Sequence, residues 1–121
     1  MIMLSLFEAY DDRDPQWVAK AYFDRIYELG IFVRVVGQLS SGNGYGVDGA
    51  YCAFPDPDSF YEEDRFEGVR FIYGQGDGAE TLFLSGAEFF ALMEAACKSY
   101  VESAGEGGVE LIKIISESPL R

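Results

Sequence analysis

The chain has 121 residues, 49% of them apolar, and its 10 Phe and 8 Tyr can fill the hydrophobic core of a single domain of this size. Nine Lys and Arg stand against 21 Asp and Glu, a formal net charge of −12, which repels phosphate backbones and anionic lipid and attracts cationic surfaces. Direct nucleic-acid binding is therefore disfavoured, and the apolar runs are too short to span a membrane. No basic residue precedes the first apolar residues, so we expect no secretory signal and a cytoplasmic protein.

The first predicted element is a helix over residues 15–29. Asp14 and Pro15 have the residue types of an N-cap and a first helical position, and Gly30 is placed to close the C-terminus. The apolar residues of this segment recur at three- and four-residue spacing. They are Val18, Ala21, Tyr22, Ile26 and Leu29. The following run, 31–39, is apolar and β-branched, and its pattern allows either a strand or a second short helix.

The middle of the chain predicts strands. Residues 40–49 are rich in Gly, Ser and Asn and indicate a loop, after which 50–54 reads as a strand that Pro55 ends. In 67–73, Val69, Phe71 and Tyr73 alternate with Arg70 and Ile72, so the two sets should face opposite sides of a sheet. The glycines of 74–78 supply a reversal before a strand over 81–84, which predicts a β-hairpin.

A second amphipathic helix is predicted over 86–103. Ser85 and Glu88 have the spacing of a capping box, and the glycines of 105–108 should end the helix. Its apolar face is formed by Phe89, Leu92, Met93, Ala96, Cys97 and Tyr100. Residues 109–116 fit either a short helix or a strand. Because the strands cluster in mid-chain, we expect an α+β fold in which a small antiparallel sheet of about three strands packs against helices, as a single domain over 1–121.

Several chemical motifs can be tested and set aside. Residues 44–49 match G-x-G-x-x-G, but a strand follows them, whereas a dinucleotide fingerprint must follow a strand and open a helix. Asp56, Asp58 and Glu67 have the spacing of carboxylate ligands in a calcium loop. However, Phe60 occupies a ligand position, and Tyr61 occupies the position that requires glycine. An EF-hand is thereby excluded, and weak, nonspecific binding of divalent cations remains open.

Neither a resident metal nor catalysis is indicated. Cys52 and Cys97 are far apart, and the chain has no histidine and no C-x-x-C motif, so we expect two reduced thiols, no zinc site and no cofactor. Without histidine the usual general base of enzymes is missing. A carboxylate pair could perform glycosidase chemistry in principle, but Asp and Glu are too abundant here for any pair to be diagnostic. We expect no catalytic residues.

One segment combines charge with aromatic side chains. Residues 56–67 carry six carboxylates and three aromatic rings between two predicted strands. Charge that steers association and aromatic anchors are both enriched at protein interfaces, although a solvated acidic turn with inward-facing rings would have the same composition. The predicted binding residues are Asp56, Asp58, Phe60, Tyr61, Glu62, Glu63, Asp64 and Glu67, with Phe66 as the third ring. Asp11, Asp12 and Asp14 form a second candidate patch.

The order of short runs in this chain resembles a known family. The runs are 50–56 (AYCAFPD), the acidic segment, 66–71 (FEGVRF), the hairpin, 84–90 (LSGAEFF) and 96–100 (ACKSY). Together they are similar to the immunity proteins of bacterial contact-dependent growth inhibition systems, and more narrowly to the group of ribonuclease toxin immunity proteins. The resemblance covers about residues 45–103.

This resemblance implies a cytoplasmic antidote that binds the C-terminal nuclease domain of its cognate toxin and blocks the active site or the RNA-binding surface. It implies no particular contact residues, because the toxin-facing surface of the family varies. The partner would be a basic protein surface, with no direct contact to nucleic acid or membrane. An acidic adaptor or regulatory subunit that binds another basic protein is the alternative.

Overall fold

The computed structural model describes residues 6–7, 13–47, 49–74, 76–104 and 108–117. Helix α1 spans Trp17–Glu28 and begins two residues later than predicted, with Gln16 at the N-cap position. Asp14 still organises this start, because its Oδ1 accepts a hydrogen bond from the Gln16 amide at 2.8 Å. Gly30 closes the helix as predicted: it has φ +75°, and the amide of Ile31 donates to the carbonyl of Ile26 at 3.1 Å.

The run that the sequence left open, 31–39, is helical. Helix α2 spans Phe32–Ser40. Its buried apolar side chains recur at helical spacing, which puts these four on one side of the helix. They are Phe32, Val35, Val36 and Leu39. A strand would have turned alternate residues of this run toward solvent, so burial of one helical face decides the conformation.

Four antiparallel strands form one sheet in the order β1-β2-β3-β4. Their bounds are Tyr45–Val47 (β1), Ala50–Ala53 (β2), Val69–Tyr73 (β3) and Glu80–Leu84 (β4). The α+β class, the antiparallel sheet and the β3–β4 hairpin are confirmed. Strand β1 was predicted as part of the loop over 40–49. It pairs with β2, and the carbonyl of Tyr45 accepts a hydrogen bond from the Tyr22 hydroxyl at 2.8 Å.

Helix α3 spans Gly86–Ala104 and is followed by α4, Gly108–Ser116. The capping box is confirmed in both directions: the Ser85 amide donates to Glu88 Oε1 at 3.0 Å, and the Glu88 amide donates to Ser85 Oγ at 3.1 Å. Since 105–107 lie outside the described residues, the predicted glycine stop is tested only at Gly108, which begins α4. The C-terminal run is thus a helix.

The core lies between the helices and the inner face of the sheet, where aromatic rings meet. Phe71 of β3 is fully buried, with its ring centroid 5.5 Å from that of Tyr22, 6.0 Å from that of Phe23 and 6.1 Å from that of Phe89. Val69 and Phe71 point inward, while Arg70 and Ile72 point to the opposite face, as the alternation predicted. None of the helices in the described ranges is both long and apolar enough to cross a bilayer.

Candidate functional site

Residues 56–67, the acidic loop, connect β2 to β3. The loop closes on itself, because the amide of Asp56 donates to the carbonyl of Asp64 at 2.7 Å. Within it, Glu62–Asp64 form a short 3-10 turn. Seven of the eight residues predicted for binding lie within the closed part, and Glu67 follows it.

The acidic loop is ordered by hydrogen bonds among its own residues. Ser59 Oγ donates to Asp64 Oδ2 at 2.7 Å and accepts from the Tyr61 amide at 3.1 Å. The guanidinium of Arg65 donates to the Ser59 carbonyl at 2.7 Å. The backbone of the loop is therefore held in one shape before any partner binds, which lowers the entropy lost on association.

The side chains that this loop presents to solvent are aromatic and acidic. Phe60 is 90% exposed and Tyr61 62% exposed, and their rings meet edge to face at 5.8 Å. Five of the six carboxylate residues are exposed, namely Asp56, Asp58, Glu62, Glu63 and Glu67. Asp64 is half-buried, and its carboxylate accepts the hydrogen bond from the Ser59 hydroxyl. Two exposed rings among exposed carboxylates are the side chains expected at a charge-steered interface.

Phe66, the third ring of the loop, packs against the sheet and does not project into solvent like Phe60 and Tyr61. Its ring meets Phe83 of β4 at 5.6 Å, and Cζ of Arg70 lies 4.7 Å from the Phe66 centroid. Nη1 of Arg70 also donates to the carbonyl of Glu63 at 3.0 Å. The buried Nε of Arg70 has no hydrogen-bond partner among the described residues. Arg70 thereby fastens the acidic loop to the central part of the sheet.

Beside the loop lies the outer face of the sheet, which faces away from the core. The strand register places on this outer face residues Gly46, Tyr51, Ala53, Arg70, Ile72, Thr81 and Phe83. Tyr51 remains 44% exposed and Phe83 51% exposed. The alternation along 67–73 predicted Arg70 and Ile72 on this face, whereas Tyr51 and Phe83 were not predicted there. Strands of four and five residues show alternation too briefly, and only the register with β3 assigns those two rings to one side.

The second predicted patch is only partly described, since Asp11 and Asp12 lie outside the described residues. Asp14 forms a salt bridge with Lys20, whose Nζ lies 2.6 Å from Asp14 Oδ2. This carboxylate is therefore already paired with a cation. The acidic loop is the stronger candidate for an interface.

The titratable groups of the core are poorly suited to nucleophilic chemistry. Both cysteines are free and buried, which agrees with the predicted reduced thiols. Burial, with a smaller contribution from the Glu94 carboxylate, raises the pKa of Cys97 to about 12, and burial also raises the pKa of Cys52. Thiols that stay protonated at neutral pH are inert. Within the described ranges, no three Cys, Asp or Glu side chains are grouped so that they could hold a metal ion.

A family model and a solved structure both match this chain, and both represent immunity proteins. A family model described as CDI immunity protein matches residues 15–113. Among solved structures, the fold is similar to that of an immunity protein from Neisseria meningitidis, with a TM-score of 0.72 and 14% sequence identity over 86% of this chain and 88% of that one. At this identity the likeness concerns the fold alone. A search of the curated proteins gives no match.

Proposed function

The chain belongs to the family of CDI immunity proteins, the antidotes of contact-dependent growth inhibition, and we propose that it neutralises a nuclease toxin domain, of the ribonuclease class, by covering its basic substrate-binding surface. The proposed contact is made by the acidic loop, through Asp56, Asp58, Phe60, Tyr61, Glu62, Glu63, Asp64 and Glu67. The protein acts in the cytoplasm, where the toxin meets RNA, and it acts by binding rather than by catalysis.

The observation that carries this proposal is the ordered acidic loop with its exposed Phe60 and Tyr61. A ribonuclease must hold a polyanion and therefore needs a surface of Lys and Arg. Carboxylates on the loop can take the place of the RNA phosphates on that surface, and the net charge of −12 accelerates the encounter. The two rings then supply the anchoring contacts that charge alone does not give.

The order of the loop favours direct blocking of the toxin over a mechanism in which the immunity protein folds on binding. A segment held by the Asp56–Asp64 and Arg65–Ser59 hydrogen bonds associates without having to fold first. Direct occlusion of the RNA-binding surface is therefore the mechanism that we propose.

The test is to co-express the tagged chain with the toxin fragment encoded immediately upstream of it, purify any complex, and assay RNA cleavage with and without the chain. We expect a 1:1 complex in which cleavage stops. A complex in which RNA still binds the toxin would contradict occlusion, and absence of any complex would favour an acidic adaptor for another basic protein. A complex that blocks a toxin of different chemistry would refute the ribonuclease assignment alone.

A further inference from the structure

We infer that the outer face of the sheet is the apolar half of the toxin-binding surface, continuous with the acidic loop. The toxin domain that fits it presents an apolar or aromatic centre surrounded by Lys and Arg. This inference rests on the proposed function and adds to it a second contact region and the chemistry of the partner.

The first observation is the exposure of two large rings on a sheet face. Strand alternation sends Phe71 and Val69 into the core and leaves Tyr51 and Phe83 on the other side, 44% and 51% exposed. Tyr51 lies opposite Ile72, and Phe83 lies opposite Arg70, on either side of their shared neighbour β3. Neighbouring apolar side chains on one exposed face are typical of an interaction site rather than of a solvated sheet surface.

The second observation is how the sequence shapes this face around Tyr51. Gly46, directly opposite on β1, leaves room for the ring: a Cβ at position 46 would lie 2.6 Å from Cδ1 and 3.1 Å from Cε1 of Tyr51. The ring therefore rests across the edge strand. A glycine that admits such a close approach keeps the ring flat against the sheet, where it offers its face to a partner.

The third observation is the continuity of this face with the acidic loop. Phe66 packs edge to face on Phe83 at 5.6 Å, and Arg70 touches both the ring of Phe66 and the carbonyl of Glu63. Apolar surface thus runs from the sheet to the foot of the loop, where Glu62, Glu63 and Glu67 stand exposed at its margin. An apolar centre with a charged rim is the usual anatomy of a protein interface.

Charge decides which partner fits this surface. A second copy of the chain would bring another net charge of −12 and its own acidic loop against the same rim, which opposes self-association. A nuclease domain brings the opposite charge, so that its Lys and Arg can meet the loop while its apolar side chains meet Tyr51 and Phe83. We therefore assign this face to the toxin domain.

The experiment compares the kinetics with which the purified toxin domain binds variants of the full chain. In the double variant Tyr51→Thr and Phe83→Thr, the two rings are replaced by a residue that favours strands. We expect dissociation to accelerate by about tenfold or more, with association nearly unchanged, because apolar contacts act after the encounter. Gly46→Ala, which displaces the Tyr51 ring without removing it, should accelerate dissociation by about threefold, the equivalent of a lost partial contact.

Leu29→Thr is the matched control, because Leu29 is 48% exposed at the end of α1 and lies outside the proposed surface. It should leave both rate constants unchanged. Thermal unfolding of each variant verifies that it is folded. If the double variant does not fold, Gly46→Ala still tests the inference, because it retains both rings. Dissociation rates equal to those of the parent chain in both variants would overturn the inference while leaving the proposed function in place.

Two further outcomes separate the inference from the function on which it rests. If the parent chain does not bind the toxin domain, both are overturned. If sedimentation of the free parent chain shows a dimer that the Tyr51→Thr, Phe83→Thr variant loses, the face belongs to a second copy and the inference alone is wrong.

Discussion

The guanidinium of Arg70 lies over the ring of Phe66, with Cζ 4.7 Å from the ring centroid. Arg70 belongs to an interior strand of the sheet, and Phe66 belongs to the acidic loop, so this contact joins the proposed binding segment to a strand that is paired on both sides. The same side chain donates to the carbonyl of Glu63. One residue therefore fixes the loop at two points.

Replacing Arg70 should loosen the acidic loop while leaving the core intact. Arg70→Ala removes a cation–π contact and a hydrogen bond, each worth about 1 kcal/mol, so local opening should become at least about tenfold more frequent. We expect faster hydrogen exchange at the Asp56 amide, which closes the loop. Arg70→Lys keeps the charge but loses the planar group and should give an intermediate rate. Unchanged exchange in Arg70→Ala would show that the loop is held by its internal hydrogen bonds alone.

Neutralising the exposed acids of the loop should slow toxin binding. In the triple variant Glu62→Gln, Glu63→Gln and Glu67→Gln, we expect association to fall by about tenfold at low salt and to approach the parent value at high salt, because screening removes the steering. Asp64 is left in place, since its carboxylate accepts the Ser59 hydrogen bond.

The control for this variant removes the same charge from elsewhere. Glu28, Glu94 and Glu102 are exposed on α1 and α3, and changing these three to Gln alters the net charge equally. Association of this control should slow by much less. If both triple variants slow association equally, the toxin responds to net charge and the loop has no special position in the interface.

Phe71 and Phe83 provide a test of which sheet face is the core. Phe71→Ala empties a fully buried site among Tyr22, Phe23 and Phe89, so the free energy of unfolding should fall by about 3–5 kcal/mol. Phe83→Ala removes a half-exposed ring and should cost no more than about 1 kcal/mol. Urea denaturation measures both changes. A large loss for Phe83→Ala would assign that ring to a structural role.

The capping box makes the stability of α3 depend on pH. The Ser85 amide and hydroxyl hold the pKa of Glu88 below its ordinary value, so the carboxylate contributes stability above its unfolded pKa of about 4.3, and this contribution is lost as pH falls through the folded pKa. The parent chain should be more stable than Glu88→Gln at neutral pH, and the difference should disappear in acid. Glu94→Gln controls for removing one charge from the same helix. A difference between the parent chain and Glu88→Gln that is independent of pH would contradict the assignment.

The fold was predictable where a local sequence pattern is compatible with only one backbone conformation. Gly30, the Ser85–Glu88 box and the alternation of Val69, Arg70 and Phe71 each specify a backbone state through their own chemistry, and each is confirmed. The run 31–39 was ambiguous because so short a run of mostly apolar, β-branched residues is compatible with a helix or a strand. Its packing within the fold, rather than its own residues, selects the helix.

The candidate site is marked in the sequence by its acidic loop, but its proposed extent is not. Abundant carboxylates around Phe60 and Tyr61 mark the acidic loop in the sequence itself. The extent of the outer face depends on pairing across three strands, such as Tyr51 with Ile72 and Arg70 with Phe83. Strand β1 pairs locally with β2, and Asp48-Gly49 between them has the residue types of a hairpin turn. Tyr51 and Phe83 could be assigned to one face only once the register with β3 was known.

The most direct test of the proposed interface is hydrogen exchange of the chain, free and bound to its toxin domain, followed residue by residue. The proposal predicts that binding slows exchange at the amides of residues 58–67 in the acidic loop, most strongly near Phe60 and Tyr61, with little change along α3. Slowing confined to the helices, with exchange in 58–67 the same in both states, would contradict it.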